Sequence, residues 1–319
     1  MCSSRETFTS TPMASLSSPR NIICAEATVA ATVAAIVLTQ SAVTCHPHES
    51  LRKIRVRQRI GGFDCMNSPK RLVCLSAEAA DWLWRIGAWD LVVGVTAFFI
   101  PPAGVAPKVK VSGFSTMQFQ EIVRLNPDLI VGFSDVQARL LGELMRQGFA
   151  VLGTNQRTLA EIESTLALLG RVVGHETQAE ELVREFQRRL APARPAKARP
   201  KVYFEEWNDP LISGIGWVGE LIERAGGIDI FSDLRDKRSA SERVVSSGEV
   251  CRRNPHVILA SWCGRPVRAP EIGSRAGWDR IAAVQANQIH EIPGEDILQP
   301  GFRLVHGYER IKQIVRGDR

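Results

Sequence analysis

The chain has 319 residues, 45% of them hydrophobic and 23% charged, a globular composition with room for two ordinary domains. Residues 1–65 hold seven Lys/Arg against four Asp/Glu, so they carry half of the net charge of +6. The rest lacks the concentrated basic face that a nucleic-acid partner requires. Of seven cysteines only Cys74, Cys251 and Cys263 lie beyond residue 65, without a CxxC pair or metal-ligand spacing, which points away from a disulfide framework or a metal centre.

Residues 1–65 read as an N-terminal extension that is expected to be disordered. CAEATVAATVAAIVLTQSAVTC, behind Arg20, has the apolar character of a secretory signal, but Glu26 interrupts it. Ser41-Ala42 makes a poor cleavage site, and five cations between Arg52 and Arg59 oppose export of the downstream chain. Two readings stay open, a degenerate export signal and an extension upstream of a start at Met66, with a membrane anchor behind both. A start at Met66 implies a cytoplasmic protein.

Strand and helix then alternate. RLVCLS, LVVGVT, DLIVGF and AVLGT read as short apolar strands, separated by the helical stretches AEAADWLWRIG, MQFQEIVRLN and VQARLLGELMRQG. This pattern predicts a first α/β lobe over 66–157 with a parallel sheet covered on both faces. Residues 158–190 keep apolar side chains at helical spacing, from Leu159 and Ile162 to Phe186 and Leu190. They predict one connecting helix over 158–191, on the order of 45 Å long, with Gly170 and Gly174 as the points where it could kink or divide. The Pro-rich 192–200 ends it, and a second lobe over 192–319 repeats the alternation with KVYFEEW, HVILASW and QIHEIP as strands.

The chain also repeats itself. EIVRLNPDLIVGF begins at Glu121 and EVCRRNPHVILAS at Glu249, 128 residues later, each reading as a helix end, a turn at Asn-Pro and a buried strand. That period is too long for a solenoid and fits two similar lobes. The predicted fold class is therefore α/β, two similar lobes with parallel sheets flanked by helices, joined by one long interdomain helix. A ligand would lie between the lobes at the C-terminal ends of the strands.

Aromatic residues collect at those ends. Phe98 and Phe99 follow the second strand, Phe114 precedes a helix, and Phe133 ends its strand. Trp207 ends the first strand of lobe two and Trp262 follows the strand of the second repeat. Flat apolar walls suit a large planar ligand held mainly by buried surface. GIGWVG, from Gly214 to Gly219, satisfies GxGxxG, the pattern of a nucleotide-dependent enzyme, but NDPLIS separates it from the strand and Trp217 would crowd a phosphate. No catalytic set accompanies Glu205, Glu206 and Asp209. Cys263 reads as pocket lining and His256 as a satisfied core residue.

RLVCLS with its helix, LVVGVTAFFIPP, the NPDLIV strand entry, EEWNDP, ELIERAGG and QPGFRLVHG together resemble the cobalamin-binding proteins of ABC importers, which share the class III substrate-binding fold. The likeness covers about residues 71–316. It implies a periplasmic, non-catalytic monomer with no intrinsic cofactor and a corrinoid, cobalamin-like ligand. Broader relatives bind haem or ferric siderophores, and a cytosolic corrinoid carrier or sensor is a further alternative. By position, Phe98, Phe114 and Phe133 match corrin-contacting sites, with Trp207 near another. Glu206, Asp209 and Arg303 are candidates for polar contacts to the corrin amides. The resemblance also implies docking to importer membrane subunits through one glutamate per lobe. Glu121 and Glu249 stand one residue beyond the matching positions, Gln120 and Gly248.

Overall fold

The computed structural model describes residues 68–113, 115–194 and 199–317. Residues 1–65 and Phe114 therefore lie outside the described residues. The first sheet contains β1 (Leu72–Cys74), β2 (Val92–Thr96), β3 (Val109–Ser112), β4 (Leu129–Phe133) and β5 (Val151–Thr154) in the order β3-β2-β1-β4-β5, every pair parallel. Parallel strands need long return connections, and helices supply three of them: α1 (Ala77–Arg85), α2 (Phe119–Leu125) and α3 (Ala138–Arg146). All three residues of β1 are buried, as a strand covered on both faces requires.

The second sheet contains β6 (Lys201–Asn208), β7 (Leu211–Ser213), β8 (Ile228–Asp229), β9 (Val257–Ala260) and β10 (Ile289–Glu291), ordered β10-β9-β6-β7 with β8 against β6. Its core, β10-β9-β6, is parallel and matches β5-β4-β1 of the first lobe. The expectation of a wholly parallel sheet needs one correction. NDPLIS is a reverse turn and the antiparallel strand β7, with Asn208 opposite Leu211, because Asp209-Pro210 returns the chain directly along β6.

The repeated segments perform the same task in each lobe. Both α2 and α7 (Ser247–Arg253) end on an asparagine in the left-handed region, Asn126 and Asn254, each with φ 45°. Proline at the next position excludes the right-handed helical conformation, and asparagine tolerates the left-handed alternative. The residue after the proline then clamps the start of the adjacent first strand. The Asp128 carboxylate accepts from the Lys70 and Arg71 N–H groups at 2.7 and 2.9 Å, and His256 Nδ1 accepts from Lys201 N–H at 3.0 Å. His256 is thus an exposed strand clamp, not a core residue.

The connecting helix also differs from expectation. Residues 158–191 form two helices, α4 (Leu159–Val173) and α5 (Glu176–Arg189), that fold back on each other. Gly174 stops α4 at φ 75°, a conformation glycine adopts without penalty, and His175 opens α5. The fold-back needs Gly170, where a Cβ would stand 2.2 Å from that of Ala179. Farther along the pair, Gln187 Nε2 donates to Glu163 Oε2 at 2.8 Å. Both run between the lobes: α4, about 22 Å long at 1.5 Å per residue, starts against Glu220, the turn at His175 meets the Ile86 carbonyl, and α5 returns to Leu190, whose carbonyl accepts from Arg224. Thr158 and Glu161 close a reciprocal capping box at the start of α4, and Glu220 of α6 (Gly216–Arg224) accepts the Leu159 N–H at 3.0 Å.

The lobes share one apolar core. Leu72, Trp82 and Phe133 of lobe one belong to the same buried cluster as Phe204, Trp217 and Leu304 of lobe two. Trp82 meets Phe186 of α5 and Phe302, just before the last helix (Leu304–Arg316), edge-on at 5.6 and 5.8 Å. Burial on this scale across the junction makes the two halves one packed unit.

Candidate ligand-binding cleft

Successive parallel strands deliver their C-terminal ends to the junction, and the chain fixes the lobes there with arginines. Arg157, after β5, is buried. Its Nη2 donates to Asp135 Oδ1 at 2.6 Å, its Nε to the Arg238 carbonyl at 3.0 Å, and its own carbonyl accepts the Trp217 N–H at 2.9 Å. Arg238 answers from lobe two, with Nη2 to the Asn155 carbonyl at 2.6 Å and Nη1 to Glu161 at 3.1 Å. Burial lowers the Arg157 pKa, Asp135 and Glu206 oppose that shift, and Arg243 and Arg238 add to it. Arg243 in turn pairs with Glu206 at 2.5 Å and donates to the Ser213 carbonyl. Charge is thus balanced pair by pair, as buried arginines require.

The aromatic residues divide unevenly. Phe98, just beyond the C-terminal end of β2, is 44% exposed. Phe99 is buried against Trp89, with ring centroids 5.4 Å apart, and Phe133 is buried under the Arg157 guanidinium, 5.4 Å from its ring. Trp207 and Trp262, 5% and 3% exposed, belong to the core of lobe two. Their indole N–H groups explain the inward turn. Trp207 Nε1 donates to the Asp209 carbonyl at 2.9 Å, and Trp262 Nε1 to Glu205 Oε1 at 3.0 Å. Glu205 is fully buried and held bidentately by Arg275 at 2.5 and 2.9 Å, so an ion pair fixes the tryptophan behind the sheet. Eight large apolar side chains are exposed among the described residues, and four of them follow a strand or adjoin the arginines of the junction: Phe98 and three residues the sequence pattern does not single out. Ile100 lies in the same loop, Val136 beside Asp135, and Val244 beside Arg243. All three were legible as apolar residues set just beyond strands or turns.

Among the polar candidates, Glu206 is engaged by Arg243 and Asp209 is exposed at the β6–β7 turn. Arg303 pairs with Asp296 at 2.7 Å. Cys263 is an exposed residue, yet loss of hydration and then the Glu206 carboxylate push its thiol pKa up, so the thiolate is scarce at neutral pH. Glu78, early in α1, is 5% exposed with Oε1 unpartnered among the described residues. Burial pushes its pKa up to about 7. No group of three or more His, Cys, Asp or Glu among the described residues could hold a metal ion.

Packing overturns the nucleotide alternative for Gly214 to Gly219. A Cβ on Gly216 would lie 2.6 Å from the Arg157 carbonyl oxygen, and one on Gly219 2.4 Å from Asp229 Oδ2. The Trp217 N–H that a phosphate would need is bonded to Arg157, and Trp217 Nε1 donates to the Ile297 carbonyl at 2.8 Å. These glycines admit protein, leaving no cradle for a pyrophosphate.

Glu121 and Glu249 stand at equivalent places on α2 and α7. Each is bound by arginines of its own helix, Glu121 by Arg124 at 2.6 Å and Glu249 by Arg252 and Arg253, both at 2.6 Å. The two arginines hold the Glu249 carboxyl down at about 2. An open groove of about 380 Å³ lies elsewhere, between α8 (Ala269–Gly273) and the start of β10, away from the strand C-termini.

Two α/β lobes joined by a folded-back pair of helices, with apolar side chains exposed where their strands end, define a two-lobed binding protein. Residues 72–295 match the family model described as periplasmic binding protein, and the chain belongs to that family. It is 26% identical over 262 residues to a cobalamin-binding protein of Halobacterium salinarum, covering 76% of this chain and 70% of that one. The solved periplasmic vitamin B12-binding protein BtuF of Vibrio cholerae superposes with a TM-score of 0.60 at 21% identity, over 78% of this chain and 97% of that one. The periplasmic heme-binding protein RhuT of Roseiflexus superposes at 0.66 with 18% identity, over 78% and 98%.

Proposed function

We propose that this protein captures a corrinoid between its lobes, without catalysis, and hands it to an ABC importer. The observation that carries the reading is the exposed apolar rim of Phe98, Ile100, Val136 and Val244, set across both lobes in a family with a relative named for cobalamin. A corrin macrocycle gains most from apolar surface that is already dry on one side. Phe98 and Phe114 supply rings from lobe one, and Phe99, Phe133, Trp207 and Trp262 form the packed floor beneath. Glu206, Asp209 and Arg303 serve the ring amides, and Cys263 lines the wall.

The haem reading draws on the RhuT likeness but needs an axial ligand for iron. Both tyrosines, Tyr203 and Tyr308, are buried and burial raises the Cys263 thiol pKa, so an axial ligand would have to come from a histidine such as the exposed His306. Docking to an importer would use Glu121 and Glu249, each exchanging its own arginines for those of the partner. Equilibrium titration of the purified protein with cobalamin, cobinamide, haem and a ferric siderophore tests the reading. Cobalamin binding below about 1 µM is expected, and no binding tighter than about 100 µM to either corrinoid would refute it.

A further inference from the structure

Six arginines stand at or behind the strand ends of the junction, and five are spent on carboxylates: Arg157 on Asp135, Arg238 on Glu161, Arg243 on Glu206, Arg275 on Glu205 and Arg303 on Asp296. The sixth, Arg265, makes no ion pair among the described residues. Its position is nonetheless defined. After β9 the chain turns sharply through Cys263 and Gly264, whose φ of +73° favours glycine, and the Arg265 N–H closes the turn on the Trp262 carbonyl at 3.0 Å. The guanidinium lies over both tryptophans, 5.7 Å from the Trp207 ring and 5.8 Å from the Trp262 ring.

Contact with two indoles restrains the side chain, and the N–H donors of a guanidinium radiate in its own plane. Those indoles are themselves anchored, Trp207 to the Asp209 carbonyl and Trp262 to the Arg275-bound Glu205. The result is a half-buried, pre-oriented cation at the strand ends of lobe two with its hydrogen-bonding capacity unspent. A planar fork in that condition suits a bidentate anion, either phosphate or carboxylate.

Resting on the corrinoid reading, we propose that Arg265 is a specificity-determining residue that pairs with the anionic phosphodiester of the ligand's nucleotide arm. The macrocycle and its neutral amides offer no such partner. Cobalamin carries the phosphodiester and cobinamide lacks it, so the pair of ligands isolates this contact.

The test compares wild type, Arg265→Gln and Arg265→Lys, as full-length protein, in titrations with cobalamin, cobinamide and haem. Arg265→Gln is expected to weaken cobalamin about tenfold, the loss of one charge-assisted contact, and to leave cobinamide unchanged. Arg265→Lys, which keeps the charge without the fork, falls between. Equal losses for both corrinoids, no loss, or tighter binding by the variants would overturn the assignment. Haem binding by a wild type that ignores corrinoids, weakened about tenfold in Arg265→Gln, would overturn the corrinoid reading and retain Arg265 as the anion site through the propionates. Binding of none of the three ligands by wild type would overturn both.

Discussion

Glu78→Gln separates the cost of a buried carboxylate from every other pH effect in the molecule. Glu78 lies under the segment that brings Gly301 against it, where a Cβ on that glycine would come 3.0 Å from the Glu78 Cβ. Burial raises its pKa from 4.5 to about 7, its own backbone N–H and the Ser76 hydroxyl oppose the shift, and Asp81 adds to it. The folded state therefore holds this proton more tightly than the unfolded chain does. Stability from this group is complete below pH 4.5, falls as pH rises to 7, and is constant above. The shift caps the penalty at about 3 kcal/mol, and between pH 5 and pH 8 it grows by about 2.5 kcal/mol. Glutamine removes the charge and keeps the shape. Urea unfolding of both proteins at the two pH values gives a double difference from which the amide's own effect cancels, along with Asp81, Arg303 and His306 to first order. Glu78→Gln should gain about 2.5 kcal/mol relative to wild type on going from pH 5 to pH 8. A double difference near zero, or of opposite sign, would refute the argument.

Gly219→Ala should destabilise by about 1–3 kcal/mol, because the new Cβ meets Asp229 Oδ2 at 2.4 Å and Arg235 Nε at 3.1 Å. An unshifted urea midpoint would show that α6 yields freely. Arg275→Met leaves the fully buried Glu205 without its cation and should cost about 3–5 kcal/mol, with a change in tryptophan emission as Trp262 loses its fixed partner. Unaltered emission would detach Trp262 from that ion pair. Phe98→Ala removes an exposed ring and should raise the cobalamin Kd about tenfold at an unchanged melting temperature; unchanged affinity would count against the rim.

The sequence made the lobes legible because short apolar strands and Asn-Pro turns are local signals. The duplicated turn was visible in the letters, and the structure adds that Asp128 and His256 use it to clamp β1 and β6. The α4–α5 break was masked by apolar spacing that continues from Val173 to Leu182 and Phe186, so periodicity alone counted one rod. Gly170 and Gly174, the residues that permit the fold-back, stood in plain view. Phe98, Phe133, Trp207 and Trp262 do fall at or just beyond strand ends, yet strand ends do not fix ring direction. Hydrogen-bond demand of the indoles drew Trp207 and Trp262 inward, which a linear reading does not reveal. The arginine lattice was illegible for another reason. Arg157 meets Asp135, but Arg243 meets Glu206 and Arg275 meets Glu205, partners 37 and 70 residues apart with no motif joining them.

Hydrogen–deuterium exchange of the full-length protein with and without saturating cobalamin tests the central claim most directly, since it reports where the ligand sits. Capture between the lobes predicts slower exchange in both halves at once, over residues 97–103 and 134–137 of one and 206–210 and 262–266 of the other. Protection confined to one lobe, or to the groove at 269–274 and 284–289, would contradict it.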